Sequence, residues 1–539
     1  MQQDEVIKDI TLGFTHTNSI KHKVQLLSPA GNLTKLKIAL QYGADAVYGG
    51  VSHFSLRNRA SKDFTYDDFR EGIVYAHNLG KKVYVAINGF PFNSQIESLK
   101  THIAKMRDLE PDAFIVAAPG VVKLAKSIAP NIPIHLSTQA NVLNVLDAGV
   151  FYDMGVKRIV AAREISLSDC EEIKKVLPDL EIEIFVHGSM CFAFSGRCLI
   201  SALQHGRVPN RGSCANDCRF DYEYFVRDET SGELIRFNPN EFYAKNPDNN
   251  VFLRLQEEEG VGTHIFNAKD LNLASHLHHI MQSGVIDALK IEGRTKSTYY
   301  AGITARTYRL ALQDYERQVS RPTLYQYELH TLKNRGFTDG YIIHRPFVRL
   351  DTQNHFSAIS EGSYQVCAEV DSSGLYCLCK HTIRKGDLLE IIAPLHYYPN
   401  TQFGIHSHAV AKQNNAESME LDELSHIQDS KSPNSIESSL DIQAPINSTP
   451  LDSISKDSNL AENLSTQDSI SLDSNEIEKL TAQSNENGII CCIDGRYYLR
   501  LHRILLQNGK EVDSIHSGNT NPIALPFKLP PFSFLRVRL

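Results

Sequence analysis

Between residues 24 and about 310 the chain alternates short β-like runs with amphipathic helical stretches, and no other feature limits its possible folds as strongly. Candidate strands fall at 24–27, 46–49, 83–87, 113–117, 134–137, 158–161, 182–186 and 288–291. The segments between them carry helical periodicity, as at 33–42 and 66–78. Asn32 stands where an N-cap is wanted, and Gly43 where a C-terminal glycine turns the chain into the next strand. Eight strands separated by helices fit an α/β fold of the (β/α)8 barrel type, with a doubly wound sheet as the alternative.

A barrel places its active site in the loops that follow the strands. Polar and glycine-rich residues gather there: Ser28 to Asn32, Gly49-Gly50, Asn88-Gly89, Ser137 to Asn141, Arg163-Glu164, His187-Gly188 and Glu292-Gly293-Arg294. Polar loops are common everywhere, which accounts for part of this pattern. It does not account for four cysteines directly after the seventh strand.

Those four, Cys191, Cys198, Cys214 and Cys218, fall within 28 residues, at spacings of six, fifteen and three intervening residues. Four thiolates suit either a tetrahedral zinc ion or an iron–sulfur cluster. Structural zinc usually takes two close cysteine pairs, and only the second pair here is close, so the spacing favours a cluster over zinc. Arg197, Arg207, Arg211 and Arg219 flank the quartet, and nearby cations stabilise thiolates. The other six of the ten cysteines read as buried hydrophobes.

Residues 219–262 form a polar excursion that begins with alternating aromatics at Phe220, Tyr222 and Tyr224. After about 350 the pattern changes to short strands joined by turns, at 363–370, 375–380 and 388–392, then 488–494, 497–501 and 532–537. Between 412 and 488 lie 16 serines, 15 acidic and 4 basic residues, and no Phe, Tyr or Trp. Such a segment cannot bury enough apolar surface to offset chain entropy and reads as disordered. The expected organisation is a leader at 1–23, a barrel domain at 24–349, and a small β-barrel at 350–411 and 489–539 split by the insertion at 412–488.

That insertion carries a local charge of −11 in a chain of net charge −8, so the remainder is slightly basic. A nucleic-acid partner is therefore not excluded. No apolar run is long enough to span a membrane, and the N-terminus lacks the layout of an export signal, so a cytoplasmic address with no membrane partner is expected.

Several motifs carry a family likeness. Glu183-Ile184-Phe185-Val186-His187-Gly188-Ser189-Met190-Cys191, Ser195-Gly196-Arg197-Cys198, Asn210-Arg211-Gly212-Ser213-Cys214, Lys290-Ile291-Glu292-Gly293-Arg294 and Asn334-Arg335-Gly336-Phe337-Thr338 resemble the signature of the collagenase-like peptidases of unassigned catalytic type. The likeness covers about residues 24–410 and resumes after 488. It implies a [4Fe–4S] cluster on Cys191, Cys198, Cys214 and Cys218. It also implies oxygen-independent, prephenate-dependent hydroxylation of RNA, forming 5-hydroxyuridine at the tRNA wobble position. Relatives act on a ribosomal RNA cytidine or on ubiquinone precursors.

The family's peptidase label finds little support in the residues. There is neither a His-Glu-x-x-His metal motif nor a Gly-x-Ser-x-Gly nucleophile elbow. A Cys191–His187 pair would need a cysteine that the cluster already uses. A non-catalytic RNA-binding protein with a structural cluster is a further alternative.

The expected catalytic residues are His187 as acid, base or hydrogen-bond partner, Arg163 and Arg294 as forks for a dicarboxylate, and Glu164 and Glu292 to orient them. Gln139 and Asn141 are candidates for reading a base edge. Lys290, with Lys81, Lys82, Lys296, Arg306 and Arg309, is a candidate for phosphate contact, and Tyr299 and Tyr300 for stacking on a splayed base. Packing within a helix is the competing role for the two tyrosines.

Overall fold

The computed structural model describes residues 23–51, 54–56, 64–191, 193–211, 214–219, 225–228, 230–236, 243–245, 252–254, 268–343, 362–397, 481–493 and 496–539. Phe220, Tyr222, Tyr224 and nearly all of the N-terminal leader and the acidic insertion lie outside these residues.

All eight expected strands form. They are β1 (Gln25–Pro29), β2 (Ala46–Gly49), β3 (Lys82–Ile87), β4 (Ala113–Val116), β5 (Ile134–Leu136), β6 (Arg158–Val160), β7 (Glu181–Ser189) and β8 (Ala288–Ile291). Each pairs in parallel with its neighbour, and β8 pairs with both β7 and β1. That double pairing closes the cylinder, so the fold is a (β/α)8-type barrel and not an open doubly wound sheet.

Helices α1 (Leu33–Gln41), α2 (Tyr66–Asn78), α3 (Ile96–Arg107), α4 (Pro119–Ile128), α5 (Val145–Asp153) and α6 (Leu167–Val176) follow the first six strands. Asn32 caps α1 by accepting from Lys35 N at 3.0 Å. Gly43 adopts φ +112° after that helix, where a Cβ would stand 2.8 Å from the Arg309 side chain.

Strand β7 runs three residues further than expected. A register shift lets it bulge between its pairings with Lys290 and Ile291, and Asp270–Asn272 pairs antiparallel with its Ser189 to His187 end. A bulge re-aims side chains at the rim of a barrel. Beyond it come the short helices α7 (Ile200–His205) and α8 (Leu277–Gln282), then α9 (Thr298–Glu316) and α10 (Pro322–His330).

The barrel interior is not wholly apolar. Leu27, Ala46, Tyr48, Tyr84, Ala86, Ala113 and Ile115 cluster inside it. Beside them runs a buried polar column. Arg158 donates to Gln25 Oε1 at 2.8 Å and to Glu183 Oε2 at 3.1 Å, and Lys290 Nζ donates to Glu183 Oε1 at 2.7 Å.

The C-terminal region is an antiparallel sheet. It contains β9 (Tyr364–Val370), β10 (Tyr376–Cys379), β11 (Leu388–Ile392), β12 (Thr481–Asn485), β13 (Gly488–Ile493), β14 (Arg496–Leu501) and β15 (Phe534–Arg538). Strands from both sides of the insertion interleave: β15 lies between β11 and β9, and β14 pairs with β11. One sheet is thus built across the interruption. The insertion ends earlier than its composition implies, because Thr481–Asn485 is a strand paired with β13.

A buried ionic cluster joins sheet to barrel. Arg536 is fully buried, donates to Glu390 Oε2 at 3.0 Å and to the Tyr299 hydroxyl at 2.6 Å, and lies 3.5 Å from Glu328. Tyr42 of the segment after α1 donates to the Ile392 and Phe532 carbonyls at 2.8 and 2.9 Å.

Candidate functional site

A small cavity of about 60 Å³ opens at the C-terminal mouth of the barrel. Its walls bring together six residues expected from the sequence: Gln139, Arg163, Cys191, Lys290, Glu292 and Arg294. Asn88, Ser137 and Thr138, from the polar strand-end loops picked out in the sequence, also line it, as do Tyr48 and Phe185, which sequence reasoning did not assign to the site. Tyr48 and Phe185 alternate in phase with inward-pointing strand residues, a period-two signal that would have exposed them.

Lys290 forms part of this wall while its ammonium is anchored to Glu183 and lies 4.3 Å from the centre of the Tyr48 ring. Burial lowers the Lys290 pKa, with Glu183 opposing. Burial also pushes Glu183 up, but Lys290 and Arg158 outweigh it and hold that carboxyl below its ordinary value. Tyr48 donates to Glu292 Oε2 at 3.0 Å.

The Arg163 guanidinium stands 4.1 Å over the Phe185 ring and makes no ion pair with a described residue. Arg294 is engaged differently. It donates to Ser55 Oγ at 2.5 Å and to the Leu56 carbonyl, so it ties the loop after β2 to the loop after β8. Arg294 thus holds that loop while remaining part of the cavity wall.

The cysteine segment crosses the mouth as a strap. Ser195 N donates to Glu164 Oε1 at 3.1 Å, so Glu164 holds this loop instead of orienting an arginine. The Gly196 carbonyl accepts from Asn210 Nδ2 at 2.7 Å, and Phe90 N donates to the Asn210 carbonyl at 3.2 Å. Arg211 donates to Gln95 Oε1 at 2.9 Å, and its guanidinium stacks 3.8 Å from the centre of the Phe92 ring. The strap therefore leaves β7 and is pinned on the far side by the loop after β3. Gly196 has φ +77°, and a Cβ there would stand 2.3 Å from the Gln139 carbonyl.

None of the four cysteines forms a disulfide; Cys191 is exposed and the other three are half-buried. Burial pushes the Cys198 thiol up, and Cys191 and Cys214 lie near enough to add to the effect. Ser201 Oγ lies 3.8 Å from Cys214 Sγ and accepts from Ala215 N at 3.1 Å. Among the described residues no three His, Cys, Asp or Glu side chains stand ready as a metal site. The donor set itself fits a thiophilic group: four free thiols on one strap, three of them close enough to interact.

His187 is not in the cavity wall. It is 2% exposed and ringed by Tyr300, Tyr308 and Phe337 at 5.7–5.8 Å between ring centres. Burial pulls its pKa down to about 3, so it is neutral at ordinary pH. Its surroundings are those of a core histidine and do not suit an acid or base at the mouth. Asn141 also lies outside the wall, with a left-handed φ of 59° at the end of the turn after β5.

Tyr299 is buried at the seam, with its ring 5.2 Å from Phe534 and its hydroxyl bonded to Thr331 and Arg536. It packs the sheet onto α9 and cannot stack on a substrate from there. Tyr300 is buried too and donates to the Glu292 carbonyl at 2.7 Å. Arg309 and Lys81 both pair with Asp45, and Arg306 is buried. None of these three presents a charge to a phosphate at the mouth. Lys82 begins β3, at the opposite end of the barrel. Lys296 stands 5.5 Å from the Tyr300 ring centre.

Fold and site together define a (β/α)8 barrel whose mouth is crossed by a four-cysteine strap and whose pocket presents lysine and arginine side chains. Residues 31–352 match the model of Peptidase family U32, and the chain belongs to that family. It is 55% identical to tRNA hydroxylation protein P of Helicobacter pylori (strain ATCC 700392 / 26695), over 96% of this chain and 99% of the relative. The Escherichia coli (strain K12) protein of that name is 36% identical over 69% of this chain and 86% of its own length. A collagenase of Porphyromonas gingivalis (strain ATCC BAA-308 / W83) is 28% identical over 59% and 73%. Among the described residues no helix is long and apolar enough to cross a membrane.

Proposed function

We infer that this chain hydroxylates tRNA, forming 5-hydroxyuridine at the wobble position in a prephenate-dependent reaction. The likeness to tRNA hydroxylation protein P across nearly the whole of both chains supports the tRNA substrate. The observation that carries the site assignment is that Cys191 shares one cavity with Lys290, Arg163 and Glu292.

Cys191, Cys198, Cys214 and Cys218 would hold a [4Fe–4S] cluster, which when bound supplies one-electron redox capacity at the pocket wall. Arg163 and Lys290 would receive the carboxylates of a small dicarboxylate such as prephenate, since guanidinium and ammonium both favour such groups. Gln139, in the same cavity wall, would hydrogen-bond a base edge. Glu164 and Asn210 would fix the strap so that Cys191 faces the substrate.

The cysteine-peptidase alternative loses support from the same geometry. His187 is neutral, enclosed by aromatic rings and absent from the wall that Cys191 lines, so it is not placed to activate that thiol.

The test is deletion of the gene, with mass spectrometry of nucleosides from purified tRNA and ribosomal RNA and re-expression as control. Loss of 5-hydroxyuridine derivatives from tRNA, restored by the gene, supports this function. Loss of hydroxycytidine from ribosomal RNA alone keeps the chemistry and moves the substrate. Unchanged profiles in both pools overturn the reading.

A further inference from the structure

The strap has an outer face that the pocket does not use. Phe194 is 53% exposed, Leu199 61% and Leu203 82%, and Phe92, beneath Arg211, is 58% exposed. Three of these exposed apolar side chains fall within ten residues of one strap, and such a concentration marks a contact surface. Their setting in the sequence adds a charge: residues 192–216 contain no Asp or Glu but include Arg197, Arg207 and Arg211. Arg197 and Arg207 are exposed, and neither makes a salt bridge with a described residue.

An acid-free run with flat apolar groups is complementary to a polyanion with stackable faces, which is what single-stranded RNA offers. The barrel supplies a second reason. The floor of the cavity, at Lys290, lies inside a closed cylinder, so only a base turned out of its stack can approach it. A turned-out base leaves neighbours whose exposed faces need a partner. Phe194 is positioned for that by a tight turn in which Arg197 N donates to the Phe194 carbonyl at 3.0 Å and Gly196 supplies the positive φ.

We propose that the outer face of the cysteine strap is the RNA-holding rim of the site. Phe194 stacks on a nucleotide flanking the target, and Arg197 and Arg207 hold the adjoining phosphates. This rests on the tRNA reading above and adds the surface that engages the loop. The strap then serves two purposes: its inner side carries thiols to the pocket and its outer side grips the substrate.

The test measures binding of a fluorescently labelled anticodon stem-loop to the full, iron-loaded chain over a range of salt. Phe194→Ala is expected to weaken binding about ten-fold, and Phe194→Tyr to restore it, because stacking needs a ring and not a particular one. Arg207→Gln, at an exposed residue not adjacent to any cysteine, is expected to reduce the salt slope by roughly 0.7 to 1. Val74→Ala, an exposed apolar residue on α2, serves as control and binds as the parent does. Iron per chain and melting temperature are measured for each variant, so that a lost cluster is not mistaken for a lost contact. Parent-like binding and salt slope in both Phe194→Ala and Arg207→Gln overturn the rim while leaving the tRNA reading intact. Failure of the parent chain to bind the stem-loop or whole tRNA overturns both.

Discussion

Glu183 Oε1 lies 2.7 Å from Lys290 Nζ inside the closed barrel, so a cation of the pocket wall is held from below by a carboxylate that solvent does not reach. Arg158 contacts the other oxygen of the same carboxylate at 3.1 Å. Two buried cations thus share one anion, and Arg158 has a second carboxylate in Glu181, whose Oε2 accepts from its Nε at 2.6 Å.

Replacing that anion is therefore expected to be severe. Glu183→Leu leaves Lys290 and Arg158 without their shared partner and should destabilise the chain by about 3–5 kcal/mol. Glu183→Gln keeps the shape and one acceptor and should cost less. Denaturant unfolding of the two variants beside the parent checks the order.

Acid should weaken the fold through His187. Its pKa falls from an ordinary 6.5 to about 3 in the folded chain, so below pH 6.5 the unfolded state takes up a proton that the folded state refuses. The stability this group contributes is complete above pH 6.5 and is lost progressively as pH falls toward 3, at about 1.4 kcal/mol per unit. Between pH 7.5 and 5.5 the parent should accordingly lose about 1.4 kcal/mol more than His187→Leu. Equal losses in the two proteins would contradict the burial argument.

Gly196→Ala introduces a Cβ 2.3 Å from the Gln139 carbonyl at a residue whose φ is +77°. The clash lies on the strap and not in the barrel core. Iron content per chain is expected to fall several-fold, while circular dichroism still reports the barrel.

Arg163 stands over Phe185 and faces the cavity without an ion pair to a described residue. Arg163→Gln should raise the prephenate concentration needed for half-maximal hydroxylation roughly ten-fold, the worth of a charge-assisted hydrogen bond. The melting temperature should stay within a degree or two. A dicarboxylate titration of the reconstituted reaction decides this.

The barrel strands were readable because each is a compact apolar run followed by turn residues, and the loops behind them carry Gln139, Arg163, Glu292 and Arg294 by position alone. The quartet stood out by spacing. What the sequence does not display is who answers whom across long separations. Arg309 looks like a spare cation until Asp45, 264 residues away, is seen beside it. His187 looks reactive until three aromatic rings from distant segments enclose it. The strap's far anchor on Phe90, Phe92 and Gln95 is likewise a tertiary fact, since nothing local to Asn210 or Arg211 names its partners.

Strand β15 separates β9 from β11, although both of those precede it by more than 140 residues. Synthesis runs from the N-terminus, so β9 and β11 emerge with a gap between them and their inner edges unpaired. Only when 534–538 arrives does the sheet become continuous, and the same event brings Arg536 to Glu390 and Glu328 and sets Phe534 against Tyr299. The barrel can mature early and can already hold β11 through Tyr42 and Ile392 and β9 through Tyr327 and Tyr364, whereas the ionic part of the seam waits for one late segment. In the interval the nascent chain carries two open strand edges, which is when a chaperone would have most to protect.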